Sequence, residues 1–350
     1  MRLWYRLICS TARVVSSVSV VTAMAVVMVS ARSAFAELPS GGSVVAGSGT
    51  ISQNDKTLTI TQNTQRMAAD WNSFSIGQGH SVEFIQPNTQ AAALNRVTGA
   101  TASILQGNLK ANGQVVLVNP NGIHITSTAQ INVGGIIAST LDITTEDFMA
   151  GNYSFAGMSP GQVINDGTVT TAEGGTAAFI AAKITNTGTI KTPGGQTLMG
   201  AGSKVTLDIG GPLQLKVDEA AVDALIEAGG AIKADGGYIL IEAKAAGDLK
   251  STVINHTGIL EAKSIGTNEQ GRIALKGDGD VQISGAMNVA SSDGVGGTVT
   301  VEGEHITVTD TANIDATGQT GGGNVLIGGD WQAGANEEYR VFDDPNALKE

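Results

Sequence analysis

The apolar residues of this chain fall in short runs separated by glycine and asparagine, not in helical stripes. Val115–Val118 is a four-residue run rich in β-branched side chains, the pattern of a strand buried on both faces. Asn119-Pro120-Asn121-Gly122 then turns the chain. Proline fixes φ at the first central position, and Asn121 and Gly122 tolerate positive φ. Ile123 and Ile125 resume an alternation with His124 and Thr126 on the other face, and Ile131, Val133, Ile136 and Ile137 follow after one polar break. Residues 115–142 therefore predict strand, tight corner, strand, corner, strand. Upstream, Ser43–Ile51 and Lys56–Thr61 alternate like a strand pair. Gln65–Trp71 and Gln90–Arg96 are expected to form short helical turns or caps, and Tyr153–Pro160 a loop.

Beyond residue 160 the pattern repeats. Val163-Ile164-Asn165-Asp166-Gly167-Thr168-Val169 returns 21 residues later as Ile184-Thr185-Asn186-Thr187-Gly188-Thr189-Ile190, and again as Ile254-Asn255-His256-Thr257-Gly258-Ile259-Leu260. A second theme is a glycine pair ahead of an apolar strand. It occurs at Gly174-Gly175, Gly194-Gly195, Gly236-Gly237, Gly296-Gly297 and Gly322-Gly323. One such unit cannot bury its own apolar face, whereas stacking units buries a continuous core, which is the logic of a parallel β-helix. Asn at the corners is expected to stack in amide ladders. At about 21–26 residues and about 4.8 Å per coil, the rod is expected to be on the order of 60–70 Å long.

One segment breaks the pattern. In 217–230, Ala221, Val222, Leu225 and Ile226 share a helical face, Asp218 can cap the start and Gly229 the end, so a short helix inserted between coils is expected.

Composition supports the solenoid. Glycine makes up 47 of 350 residues with no three-residue period, which excludes collagen, and 41% hydrophobic content excludes wholesale disorder. Residues 1–36 read as an export signal: Arg2, Arg6 and Arg13, an apolar Val14–Val29, then Ala34-Phe35-Ala36 as an A-x-A site cut before Glu37. This segment holds four of the 20 basic residues and none of the 32 acidic ones, which leaves 16 basic against 32 acidic side chains in 37–350. So acidic a chain repels nucleic-acid phosphates and anionic lipid, and no membrane span is expected after cleavage. Cys9 is the one cysteine and lies in the signal. The exported chain therefore forms no internal disulfide, which fits a chain that crosses a membrane unfolded.

Candidate chemistry is sparse. His80, His124, His256 and His305 lack metal-site spacing and are expected on exposed strands or turns. Gly277-Asp278-Gly279-Asp280 has no partner Glu for a Ca²⁺ loop and reads as a turn. Asp315, Asp330, Asp343 and Asp344 are the carboxylates available for a glycosidase-like pair, though no spacing selects one. No nucleophile elbow or Walker loop is present, so no enzyme activity, cofactor or metal is expected.

Asn119-Pro120-Asn121-Gly122-Ile123, with Asn132-Val133-Gly134-Gly135 and Ala138-Ser139-Thr140-Leu141-Asp142, resembles the N-terminal secretion domain of two-partner secretion proteins, the filamentous haemagglutinin family. Trp71-Asn72-Ser73-Phe74-Ser75-Ile76-Gly77, Val82–Pro87 and Leu94-Asn95-Arg96-Val97 fit the same family. Where some members carry a second Asn-Pro-Asn-Leu motif, this chain has Gln86-Pro87-Asn88-Thr89. The resemblance implies a right-handed parallel β-helix with an N-terminal cap. It implies division into a signal (1–36), a secretion domain (37–160), repeat coils (161–330) and a tail (331–350) cut from a longer passenger. It further implies recognition of Asn119–Ile123 by a dedicated outer-membrane β-barrel, release outside the cell, and an adhesin or haemagglutinin-like exoprotein. A haem-binding or cytolytic exoprotein and a polysaccharide-active β-helix enzyme are the alternatives, and the ligand is left open.

Overall fold

The structure, a computed structural model, describes residues 38–208, 214–246, 252–265 and 271–328. The signal with Ala34, Ala36 and Glu37, the tail, and Asp330, Asp343 and Asp344 lie outside these residues. The described chain is a parallel β-helix built on two 11-stranded sheets and one of eight strands, with a three-stranded antiparallel sheet on its flank. Each coil adds one strand to each long sheet. Gln162 stands opposite Lys183 and Thr168 opposite Thr189, both 21 residues on, the offset read in the sequence. Ile131, Val169, Ile190, Ile232, Leu260 and Met287 stack in register as one buried column of the core.

Glycine explains how closely the coils meet. A Cβ on Gly195 would lie 2.0 Å from the carbonyl oxygen of Gly175, and one on Gly237 would lie 1.9 Å from that of Gly195. Gly188, Gly230 and Gly258 form a second column of the same kind, with virtual Cβ to carbonyl distances of 2.1–2.3 Å. The two repeat themes are thus two seams where backbone touches backbone. Asn165 donates to the side-chain oxygen of Asn186 at 2.7 Å, one rung of the expected amide ladder.

The N-terminal end is capped by antiparallel strands. β1 (Ser43–Ala46) pairs with β4 (Arg66–Trp71), and β2 (Gly49–Asn54) with β3 (Thr57–Gln62). Two expected helical turns are therefore strands. Arg66–Trp71 and Ala92–Val97 are parallel neighbours, and their alanines fit a sheet covered on both sides. Pairing and burial override helix propensity here.

That cover explains one further departure, and two more lie beside it. Tyr153–Ala156 is a strand, not a loop. It pairs with Lys204–Asp208, which pairs with Gln214–Glu219. Together with helix α1 (Thr145–Ala150), this flank buries Val116, Val118, Ile137 and Leu198 beneath Phe148, Phe155, Val205, Leu215 and Val217. Val115–Val118 is accordingly buried on both faces, as its composition predicts. The helix expected over 217–230 does not form. The segment is the end of the Gln214–Glu219 strand, a turn with Asp223 at φ 56°, and the strand Leu225–Ala228. Val222, placed by the helical reading on the packed face, is 74% exposed. Ile226 and Ala228 instead sit in register with Ile184 and Asn186, so burial along the stack decides the outcome. The helix that does form is too short to show a period. Its Thr144 cap accepts from the Asp147 amide, and Gly151 ends it at φ 87°.

Candidate functional site

Asn119 ends the strand Gln114–Val118 and is fully buried. Its amide donates to the Thr101 carbonyl at 3.0 Å and to Ser103 Oγ at 2.9 Å. Its Oδ1 accepts from the Asn121 backbone N–H at 3.0 Å and the Asn121 side chain at 3.1 Å. The Gly122 N–H closes the turn on the Asn119 carbonyl at 3.0 Å, with Pro120 and Asn121 as the central, exposed residues. Only Gly122, at φ 112°, takes the positive φ that Asn121 was also expected to tolerate. Ile123 is buried and starts the next strand.

Neighbouring coils clamp this corner from both sides. From the coil before, Gly99 accepts from the Asn121 side chain at 2.8 Å. From the coil after, Ser159 Oγ donates to the Pro120 carbonyl at 2.5 Å and accepts from the Gly161 N–H at 3.0 Å. Gly161 approaches so closely that a Cβ would lie 2.5 Å from that same carbonyl. Sequence reasoning missed Gly99, Thr101, Ser103, Ser159 and Gly161. Gly99, Thr101 and Ser103 lie 16–22 residues before the motif, an offset of about one coil that could have pointed to them, whereas Ser159 lies 39 residues from Pro120, beyond the inserted helix and flank strand, where no period points.

The other motifs converge. Trp71 Nε1 donates to Asn95 Oδ1 at 3.1 Å in the core, and Phe74 packs edge-on to Trp71 with ring centroids 5.3 Å apart. Arg96 donates to Asp142 at 2.9 Å and Asp70 at 3.3 Å, and also binds Thr145 and the Ile143 carbonyl, which ties α1 to the coils. In Gln86-Pro87-Asn88, the buried Gln86 amide donates to Gln62, Ala91 and Gln114, and its oxygen accepts from the Gly113 N–H. That corner is a polar staple across three coils.

The histidines correct the sequence reading in part. His256 is fully buried with both ring nitrogens 3.2 Å from carbonyl oxygens, and His80 is buried. His124 contacts Asp166 at 2.7 Å, and His305 contacts Asp280 at 2.9 Å. Asp166 is held below the usual carboxylate range, chiefly by a hydrogen bond from Thr187 and further by His124, against the opposing effect of burial. Asp278 accepts from the Ala245 N–H, as a turn residue does. Asp315 binds its own turn through Thr317, which lowers its pKa. Among the described residues no three His, Asp or Glu side chains converge as a metal would require.

A coiled stack of short parallel strands, capped at its N-terminal end and carrying a clamped Asn-Pro-Asn-Gly corner, defines a capped parallel β-helix. The sequence profile of the TPS secretion domain matches residues 36–289, so the chain belongs to the two-partner secretion family. It is similar to the HMW1 secretion domain from Haemophilus influenzae, whose crystal structure superposes with a TM-score of 0.77 at 32% identity over 87% of this chain and 80% of that one. A heme/hemopexin-binding protein of H. influenzae strain Rd is 33% identical over 88% of this chain. A second H. influenzae protein of the same description is 29% identical over 72% of this chain. The chain spans about a third of the length of these relatives, 35% and 29% respectively.

Proposed function

We propose that this chain is the export address of a two-partner exoprotein, handed through the periplasm to a dedicated outer-membrane β-barrel and released outside the cell after cleavage before Glu37. The observation that carries this is the corner at Asn119–Ile123, anchored by the buried Asn119, clamped by two coils and presenting Pro120 and Asn121 outward, within a 254-residue family match. The domain division at residue 160 is part of the same reading, although the sheets run through it, with Ile123–Ile125 paired to Gln162–Asn165. Express the full chain in a Gram-negative host with and without the adjacent barrel gene, beside Asn119→Ala and Asn121→Ala. Barrel-dependent release of a product starting at Glu37, lost in the variants, is the expected result. Release indifferent to both barrel and variants overturns the reading.

For the exoprotein's cargo, similarity to two proteins described as heme/hemopexin-binding favours haem or a haem carrier over the adhesin expectation. The secreted protein is then expected to shift the Soret band of added haemin saturably. A linear, unsaturable response together with no haemopexin capture removes this reading.

A further inference from the structure

The N-terminal rim of the β-helix is made by β1 and β2, and the two are finished differently. β1 is four residues long and bulged between Val44 and Ala46, which blunts it. β2 is a regular six-residue strand, Gly49-Thr50-Ile51-Ser52-Gln53-Asn54, paired only with β3 among the described residues. It carries no charge, no proline and no bulge, and Thr50, Ser52, Gln53 and Asn54 are exposed. The stretch 38–54 has no charged residue at all, in a chain of net charge −12. Ser48 O accepts from the Asn63 N–H. By the alternation of an antiparallel ladder, residues 50, 52 and 54 bond β3, while Gly49, Ile51 and Gln53 turn their N–H and C=O groups to the open side. Unprotected regular edges are what native proteins avoid unless something pairs with them.

We propose that the open edge of β2 is a docking strand, to which an extended segment of the outer-membrane partner adds as an extra β-strand. The proposal rests on the secretion reading above and names where the partner would bind. Main-chain hydrogen bonds supply such an interaction, and a neutral edge accepts an incoming strand without a charge penalty. A second copy of this chain is the weaker occupant, because 16 basic against 32 acidic side chains in 37–350 make two copies repel. The role also fits the assembly of the fold. Each later coil pairs with the coil before it, whereas the first has none, and an added strand supplies that template.

The test uses Gln53→Pro, which removes an open-edge N–H and leaves the bonds to β3, with Gln53→Ala as the control that keeps the backbone donor. A photo-crosslinker at position 53 of the otherwise native chain reports the neighbour during export. The proposal expects at least a tenfold loss of barrel-dependent release for Gln53→Pro, wild-type release within twofold for Gln53→Ala, matching urea midpoints for both, and crosslinks to the barrel protein. Wild-type release of Gln53→Pro, or crosslinks to a second copy alone, overturns it. If Gln53→Pro lowers the urea midpoint, the crosslink decides. Release that depends on the barrel and on Asn119 but ignores Gln53 defeats the edge proposal and leaves the export reading standing. Release that ignores the barrel defeats both.

Discussion

At the scale of single residues, burial separates what a side chain supports from what a partner can touch. Asn119 is the first residue of the Asn-Pro-Asn-Gly corner, yet it is wholly enclosed, and only Pro120 and Asn121 face outward. Its amide works as an internal strut, and removing a buried donor with two partners costs about 1–3 kcal/mol. Loss of release in Asn119→Ala should therefore come with a lower urea midpoint, whereas Asn121→Ala should keep more of its stability. His256 offers a pH test. Burial favours its neutral form and lowers its pKa, against hydrogen bonds to the Ala228 and Ala286 carbonyls that raise it. A neutral ring can donate to only one of those carbonyls. Because the unfolded chain takes up the proton more readily, this contribution to stability is full above the ordinary histidine pKa of about 6.5. It falls as pH drops towards the folded value. The urea midpoint of the wild type should drop more between pH 7 and pH 5 than that of His256→Asn. Parallel curves would refute the argument.

At the scale of elements, two glycine seams and one misread helix show where sequence speaks and where it is silent. The glycine pairs were legible because each precedes an apolar strand, and the contact behind them is physical. Gly237→Ala would push a methyl group against the Gly195 carbonyl, at or beyond the upper end of the ~1–3 kcal/mol typical of overpacking. Gly322→Ala, with nothing within 4 Å, should stay within about 0.5 kcal/mol. Equal urea midpoints for the two variants would remove the seam as an explanation. The stretch 217–230 misled because its helical face is formed by Ala221 in an isolated bridge to Ala245, Val222 in a turn, and Leu225 and Ile226 in one strand. Asp223 at φ 56° gives a discriminating case. In a helix, Asp223→Gly would cost a few tenths of a kcal/mol or more. In this turn, relief of a left-handed residue should leave the protein equally stable or stabilise it by up to about 1 kcal/mol. Its ion pair with Lys183, 3.7 Å apart and exposed, changes that little.

At the scale of the whole molecule, the fold was legible because strand and glycine themes recur coil after coil, although partners in adjacent coils lie anywhere from 20 residues apart (Thr176 and Gln196) to 42 (Gln196 and Tyr238), while the flank and the clamp were not legible. Tyr153–Ala156 and Lys204–Asp208 are far apart in sequence, so nothing local announces that they meet. Ser103 and Ser159 likewise belong to the corner only because coils stack. Described as a text, the last coils keep a strict metre. Arg272 stands opposite Thr298 and Thr298 opposite Asn324, each 26 residues on, with the glycine seam marking every line. Such a gene can grow by repeating a whole line and not by adding a letter. Tandem duplication of residues 272–297 should yield a folded protein with one coil more and an undiminished urea midpoint. One alanine inserted between Met287 and Asn288 shifts every later residue of that line off its seam and should lower the midpoint sharply. The length of a rod like this is thus inherited in steps.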